Sequence, residues 1–332
     1  MVTGRAYIRK VRYGVQLAFL LFTLYIGYEF YQFVLHFKSP GHPFVERPSS
    51  VDAFLPISGL MSLKYFLSTG IVEPIHPAAF VMFVAILAVS LFMKKGFCGW
   101  ICPIGTLSQY FWMAGRKLCA RNFRMADYAD TALRSLKYIL MALFLLLIGV
   151  AMKPNMMVLF FMTDYYVTAD VRTMNVFAEM SAITFWVLIF LGVFSLLYKN
   201  FWCRYLCPYG ALLGLLSRFG PVKIARNAEK CIHCRSCTRA CPSLVEVERK
   251  EVVNSPECVA CLTCVSSCPS PGALDVSLKT GKDRTVLKPY LYPLALILFF
   301  YLVIGAGMAA GKWHSQIPYE QYKRIIPEIY GK

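Results

Sequence analysis

Charge is scarce in this sequence, and negative charge is the scarcest. Of 332 residues only 16% are charged, with 18 Asp and Glu against 35 Lys and Arg. An ordinary soluble domain carries about a quarter charged residues, so a single water-soluble globule does not account for this chain. Histidine is limited to 5 positions, and no two of them fall at mid-span in facing apolar runs, which argues against a haem held between membrane helices. Glycine-rich phosphate loops are missing, as are a dinucleotide fingerprint and a nucleophile–base arrangement, so nucleotide and hydrolase chemistry have no support. No sensor output domain is visible. A signal-peptide pattern is missing too. The first apolar run is too long for an h-region and lacks a small-residue cleavage site, so it is expected to remain as an anchor.

What the chain has instead is apolar length. Hydrophobic residues make up 58% and aromatics 15%, and several runs are long enough to cross a bilayer. Five spans are expected: Tyr13–Phe37, Ala78–Met93 (completed back to Pro74), Leu136–Met152, Ala182–Tyr198 and Tyr290–Ala310. Between the first two lie Pro40, Pro43, Pro48 and Pro56, which rule out one continuous helix; the apolar stretch Ala53–Leu67 within this region suits a surface-lying or re-entrant piece. With the N-terminus inside, the inner segments carry 26 Lys and Arg and the outer segments 9. That bias fixes an expected orientation and explains the net charge of +17 without nucleic acid. The basic linker residues Arg116, Lys117, Arg121 and Arg124 then read as solvated or lipid-phosphate contacts.

Thirteen cysteines stand out against this background. Eight form two runs, Cys231-x2-Cys234-x2-Cys237-x3-Cys241-Pro and Cys258-x2-Cys261-x2-Cys264-x3-Cys268-Pro. This is the bacterial ferredoxin spacing, in which the fourth cysteine ligates the other cluster. Cys231, Cys234, Cys237 and Cys268 are therefore expected to hold one [4Fe-4S] cluster, and Cys258, Cys261, Cys264 and Cys241 the other. Zinc knuckles or disulfides rarely need eight cysteines in a doubled pattern of this kind, and a reducing cytoplasm disfavours disulfides. His233, between ligands, is expected to tune a cluster rather than bind it.

Four more cysteines form a second repeat. Phe97-Cys98-Gly-Trp-Ile-Cys102-Pro-Ile-Gly105 and Trp202-Cys203-Arg-Tyr-Leu-Cys207-Pro-Tyr-Gly210 share aromatic-Cys-x3-Cys-Pro-x-Gly, each where an apolar run ends. On a continuing helix each pair would share one face. Four soft ligands suit a further cluster, another thiophilic metal or two dithiols. Their bland reading is small packing residues at helix ends, which the repeated proline and glycine oppose. Cys119 is left over as a free thiol.

The stretches FCGWICPIGTLSQ and WCRYLCPYGALLG, followed by two ferredoxin runs, resemble the NosR/NapH family of membrane polyferredoxins over roughly residues 75–275. The resemblance implies quinol oxidation coupled to electron transfer towards a respiratory reductase or its maturation, with Cys98, Cys102, Cys203 and Cys207 in a redox role. The chain lacks the large outer flavin domain of NosR, and its fifth span is closer to the related CcoG-type cupric reductases, whose sizeable outer domain it lacks in turn.

The expected fold is thus an all-α integral membrane bundle of about five transmembrane helices with an inserted small α+β two-cluster ferredoxin-like domain. Its expected parts are a membrane domain at 1–222, the cytoplasmic cluster domain at 223–286, and a fifth helix with an outer tail at 287–332. The expected place is a bacterial or archaeal cytoplasmic membrane, and the expected partners are lipids, the quinone pool and a redox protein. The leading function is an electron-transfer component with the character of a quinol dehydrogenase; the alternative is a metal-handling, cupric-reductase-like assembly factor. Glu29, flanked by Tyr25, Tyr28, Tyr31 and Gln32 in the first span, is the candidate acceptor of a quinol proton; its bland reading is an interfacial residue reaching water. His36, His42, His76 and His314, with Asp164, Tyr165 and Tyr166, are the other candidates on the outer side.

Overall fold

The computed structural model describes residues 2–39, 41–280 and 283–331; Pro40 and the stretch 281–282 lie outside them. The chain is mostly helical. Helix α1 (Val2–Lys38) runs uninterrupted for 37 residues, about 55 Å at 1.5 Å per residue, because no proline or glycine pair breaks it. Proline then punctuates the chain: Pro56, Pro103, Pro154 and Pro208 each occupy the first turn of α2 (Pro56–Thr69), α5 (Pro103–Leu118), α7 (Pro154–Phe161) and α11 (Pro208–Leu216). There its missing N–H costs nothing and its fixed φ suits the helix. Gly70 closes α2 in the left-handed conformation at φ 74°, its N–H bonding Phe66 O.

Three helices are long and apolar enough to cross a membrane: Tyr7–Lys38 within α1, Asp127–Ala151 (α6, Asp127–Leu146, with a following π turn), and α14 (Leu291–Ala309). A fourth span forms if α9 (Ala169–Ala178) and α10 (Ala182–Leu197), bent by 77°, count as one. The second expected span is a shorter helix, α3 (Pro77–Phe92), of 16 residues. It is bounded by Pro77 and by Lys94, whose φ of 55° breaks the helix before α4 (Gly96–Trp100). The third begins nine residues ahead of Leu136, because Asp127 and Asp130 favour a helix N-terminus.

Residues 222–287 contain a four-stranded antiparallel sheet in the order β2 (Val252–Val253), β1 (Val222–Arg226), β3 (Leu274–Thr280), β4 (Asp283–Leu287). Val222, Ile224, Val253, Leu274 and Val276 are buried, with Ile224 opposite both Val253 and Val276. Two short helices, α12 (Ser236–Ala240) and α13 (Thr263–Ser266), complete this part.

The chain divides into two compact units. One comprises 1–20, 86–141 and 190–300; the other comprises 21–85, 142–189 and 301–332. The first contains all thirteen cysteines, and the second contains four of the five histidines. The expected cluster domain at 223–286 falls inside the first unit, together with parts of α1, α3, α6, α10 and α14.

Candidate iron–sulfur site

The paired Cys-x3-Cys-Pro-x-Gly motifs do not lie on continuing helices. Helix α4 ends at Trp100, and Cys102 stands in extended conformation (φ −59°, ψ 120°) as the cap of α5. Cys207 does the same for α11 (φ −74°, ψ 103°), after a π turn over Trp202–Leu206 that holds Cys203. The expectation of one shared helical face is therefore corrected, and proline is the reason. The residue before a proline is driven from helical to extended geometry, so the second cysteine swings out and caps the next helix. The glycine of the motif has its own cause. Gly210 N–H donates to Cys207 Sγ at 3.2 Å, and a Cβ at Gly105 would stand 2.5 Å from Cys98 O. Each second cysteine thus caps the N-terminal end of a helix.

Cys98, Cys102, Cys203 and Cys207 come within electrostatic reach of one another. Burial pushes the Cys98 thiol up to about 12 and the Cys102 thiol up to about 11. Lys95, 3% exposed, lies among them. Burial disfavours its ammonium, but Cys98, Glu257, Cys207 and Cys203 outweigh that and hold its pKa above the ordinary lysine value. Glu257 in turn accepts both oxygens' worth of hydrogen bonds from Lys137 Nζ at 2.7 Å. Lys95 and Lys137 together hold its carboxyl below the usual range despite burial.

The two ferredoxin runs fold as copies. His233 and Arg235 in the first, and Ala260 and Leu262 in the second, all adopt positive φ between 46° and 59°. Four non-glycine residues in the left-handed region cost about 1–2 kcal/mol each. The repetition falls at equivalent places, two and four residues after the first cysteine of each run. Cys241, Cys258, Cys261 and Cys264 line one cavity, with Ile224 and Val247 on its apolar wall, and Cys237 interacts with Cys268.

The first pair-motif loop is bound to the second run, and the second loop to the residues after Cys241. Trp100 Nε1 donates to Ala260 O at 2.9 Å, and a Cβ on Gly99 would stand 2.4 Å from Val259 O. Arg12, buried in α1, donates to Gly99 O at 3.0 Å, to Thr263 Oγ1 at 3.1 Å and to Gln109 Oε1. Gln16 joins the same Gly99 O at 3.1 Å. Arg204 donates to both Asp130 oxygens through Nε and Nη2 (2.8 and 2.7 Å), and its Nη1 donates to Ser243 O at 2.8 Å. Sequence reasoning missed Arg12, Lys95, Lys137 and Glu257. The available signals were a polar Arg12–Gln16 pair four residues apart in an apolar helix, and two lysines directly ahead of Cys98.

The outer candidates are not gathered into one site. Glu29 is half-buried and accepts from Tyr25 Oη at 2.5 Å, one turn earlier on α1. His36 contacts His42 O and Tyr319 Oη at 2.6 and 2.9 Å, and His314 lies 3.4 Å from Ser49 Oγ. Tyr165 is exposed, and Asp164 pairs with Arg324 at 3.6 Å. His76 is fully buried, with Nδ1 3.0 Å from Asp52 Oδ1, while Nε2 donates to Tyr166 O at 2.9 Å. Asp52, His76 and Asp170 offer ligand atoms within 4.8 Å, but they fit a metal poorly. Arg47 already bonds both carboxylates, and both ring nitrogens are engaged. The group is a buried ionic knot. Cys119 is exposed, and His233 pairs with Glu248 at 3.1 Å.

Comparison with known proteins agrees with this geometry. Residues 75–122 and 180–227, one segment around each Cys-x3-Cys pair, match a family model described as a 4Fe-4S binding domain. Residues 223–269 match a 4Fe-4S dicluster domain. The putative electron transport protein YccM of Escherichia coli (strain K12) is 39% identical over 321 residues, 96% of this chain and 90% of that protein. The chain belongs to the NosR/NapH-type polyferredoxins. Within the family, the ferredoxin-type protein NapH of Haemophilus influenzae is 28% identical over 51% of this chain and 53% of its own. The regulatory protein NosR of Stutzerimonas stutzeri is 27% identical over 50% of this chain but only 22% of its own length. No solved structure matches. This polyferredoxin is accordingly a ferredoxin-type electron-transport protein with 4Fe-4S domains and apolar helices suited to a membrane.

Lys95 offers a direct check on the electrostatics. Lys95→Met removes a buried cation facing the four pair-motif thiols, an interaction worth about 3 kcal/mol at 5 Å and an effective dielectric of 20. If those thiols hold a redox centre, its midpoint potential should fall by on the order of 100 mV for a one-electron couple. Redox titration followed by EPR measures the shift; an unchanged potential would mean that Lys95 has no charged centre to face.

Proposed function

We propose that this polyferredoxin spans the cytoplasmic membrane and carries electrons from membrane quinol to a redox partner, using three ligand sets. Cys98, Cys102, Cys203 and Cys207 form the first; Cys241, Cys258, Cys261 and Cys264 the second; Cys231, Cys234, Cys237 and Cys268 the third. The carrying observation is that both pair-motif loops are joined to the segments bearing the second set, through Trp100 to Ala260 and Arg204 to Ser243. A bound [4Fe-4S] cluster exchanges single electrons, and its potential follows charge, hydrogen bonds and exposure. The residues set those conditions: Arg12, Trp100 and Arg204 hold neighbouring loops in register, and Lys95 supplies positive charge. The first set is read as cluster-bound because its four thiols lie within electrostatic reach of one another and the segment around each pair matches a 4Fe-4S binding domain.

Five spans remain the proposed topology, with the short α3 packed among longer helices and the bent α9–α10 pair counted once. The lysine and arginine bias of 26 to 9 supports an inside N-terminus and an inside cluster segment. Iron and acid-labile sulfide analysis of anaerobically purified protein, with EPR of the dithionite-reduced state, tests the ligand sets. About twelve irons per chain are expected from three four-iron clusters; about eight would return the pair-motif cysteines to dithiols.

A further inference from the structure

The two ferredoxin runs are unequal in their surroundings. Contacts from the rest of the cysteine-bearing unit land on the second run and on Cys241's neighbours: Asn200 on Pro242 O, Arg204 on Ser243 O, Lys94 on Ser255 O and Lys137 on Glu257. A Cβ at Gly214 would stand 2.7 Å from Pro256 O, and the Gly99 and Trp100 contacts described above fall on Val259 and Ala260. Among the described residues, no hydrogen bond or ion pair joins Cys231–Arg239 to any helix outside 222–287. That loop faces outward instead. Ile232, next to Cys231, is 65% exposed, and Lys230, Arg235, Arg239, Arg249 and Lys250 are exposed. Exposed acids nearby are fewer, namely Glu229, Glu246 and Glu251.

We infer that the Cys231–Arg239 loop is the docking face for the electron-accepting partner, a redox protein with a carboxylate-rich surface that seats an apolar patch on Ile232. This rests on the relay reading above and deepens it, since it assigns the exit to the third ligand set. The physical argument has three parts. The loop is exposed where its twin is covered. An exposed aliphatic side chain beside a cluster is a suitable contact centre, because desolvated apolar contacts at an interface core carry most of the affinity. The surrounding cations steer an anionic partner and favour fast, salt-sensitive association. Two of them are only partly neutralised within the protein, Arg235 lying 3.7 Å from the Glu248 carboxylate and Arg249 3.1 Å from that of Glu246.

Flavodoxin, an acidic one-electron protein, serves as the probe. Its binding to the oxidised full-length protein in nanodiscs is followed at low and high ionic strength, with no quinol present. Wild type is expected to bind in a salt-sensitive manner. Lys230→Glu with Arg235→Glu should weaken binding tenfold or more, and Ile232→Ser should weaken it several-fold while leaving the salt dependence in place. Arg218→Glu, a reversal at an exposed cation remote in sequence from the loop, should change binding less than twofold. Unchanged cluster EPR spectra in every variant show that the ligand loops are intact. The inference is overturned if wild type shows no salt-sensitive binding, or if Arg218→Glu weakens binding as much as the loop variants do. Because the assay contains no quinol, failure of the donor side of the relay would leave this result standing.

Discussion

Cys207→Ala should lower the iron content from about twelve to about eight per chain, the loss of one four-iron cluster, while the EPR signals of the ferredoxin-run clusters persist. Two losses coincide at this residue. Its sulfur is a proposed ligand, and it also accepts the Gly210 N–H that caps α11. The cap alone is worth about 1 kcal/mol, too little to unfold the protein, so the change in iron reports on ligation. The remaining eight ligand cysteines lie on separate loops and keep their left-handed turns at His233, Arg235, Ala260 and Leu262. Cys119→Ala is the control. That thiol is exposed in the basic linker, and its removal should leave iron, sulfide and spectra unchanged. Equal iron in Cys207→Ala and wild type would remove the pair-motif cysteines from the ligand sets.

The second large effect is expected far from the cysteines. Asp52→Asn should destabilise the histidine-bearing unit by about 3–5 kcal/mol, the usual result of removing one partner from a buried ionic group. Asp52 is 1% exposed and faces both Arg47 and His76. The signs follow from the shifts. Burial opposes the Asp52 carboxylate, but Arg47 and His76 win and its pKa lies below the ordinary value. Its contribution is therefore present above the usual aspartate range and is lost as pH falls. His76 is shifted the other way: burial opposes its charge, Asp52 outweighs burial, and its pKa lies above the ordinary imidazole value. Its contribution is present below the unfolded-state value and is lost as pH rises through the folded-state value. Wild-type thermal stability in detergent should accordingly decline as pH rises above neutrality, and Asp52→Asn should be less stable throughout with that alkaline decline flattened. A variant as stable as wild type would show that the knot is dispensable.

How far the sequence could be read depended on whether the determining interaction was local. Both cysteine patterns could be picked out from spacing alone, and family models described as 4Fe-4S domains match those same segments. The helix starts at Pro56, Pro103, Pro154 and Pro208 were not read from the sequence, although proline in a first helical turn is a local signal. The pair motif was misread in one respect. Spacing of four suggested a shared helical face, whereas the proline after each second cysteine turns that residue out into a cap. Pairings across long stretches of chain were not legible. Arg12 is buried and bonded to Gly99, Gln109 and Thr263, partners that no local pattern indicates. Asp52, His76 and Arg47 stand in proline-rich sequence that carries no periodic signal, and only the fold brings Asp170 to them. Glu29 drew attention as an acid in an apolar run, and its observed partner is simply Tyr25. Span counting was limited by α3, where Pro77 and Lys94 cut an apolar segment below the length that usually crosses a bilayer.

The central claim is that membrane quinol feeds the pair-motif set and, through it, the ferredoxin runs. Anaerobic mixing of oxidised protein in nanodiscs with excess reduced quinol, followed by freeze-quench EPR, tests it most directly. The account predicts that cluster signals appear in wild type and are suppressed at least tenfold in Cys98→Ala and Cys207→Ala, although dithionite still reduces the clusters those variants retain. Clusters that stay oxidised in wild type under excess quinol, in a protein that nonetheless reduces Cu(II), would contradict it and point to metal handling instead.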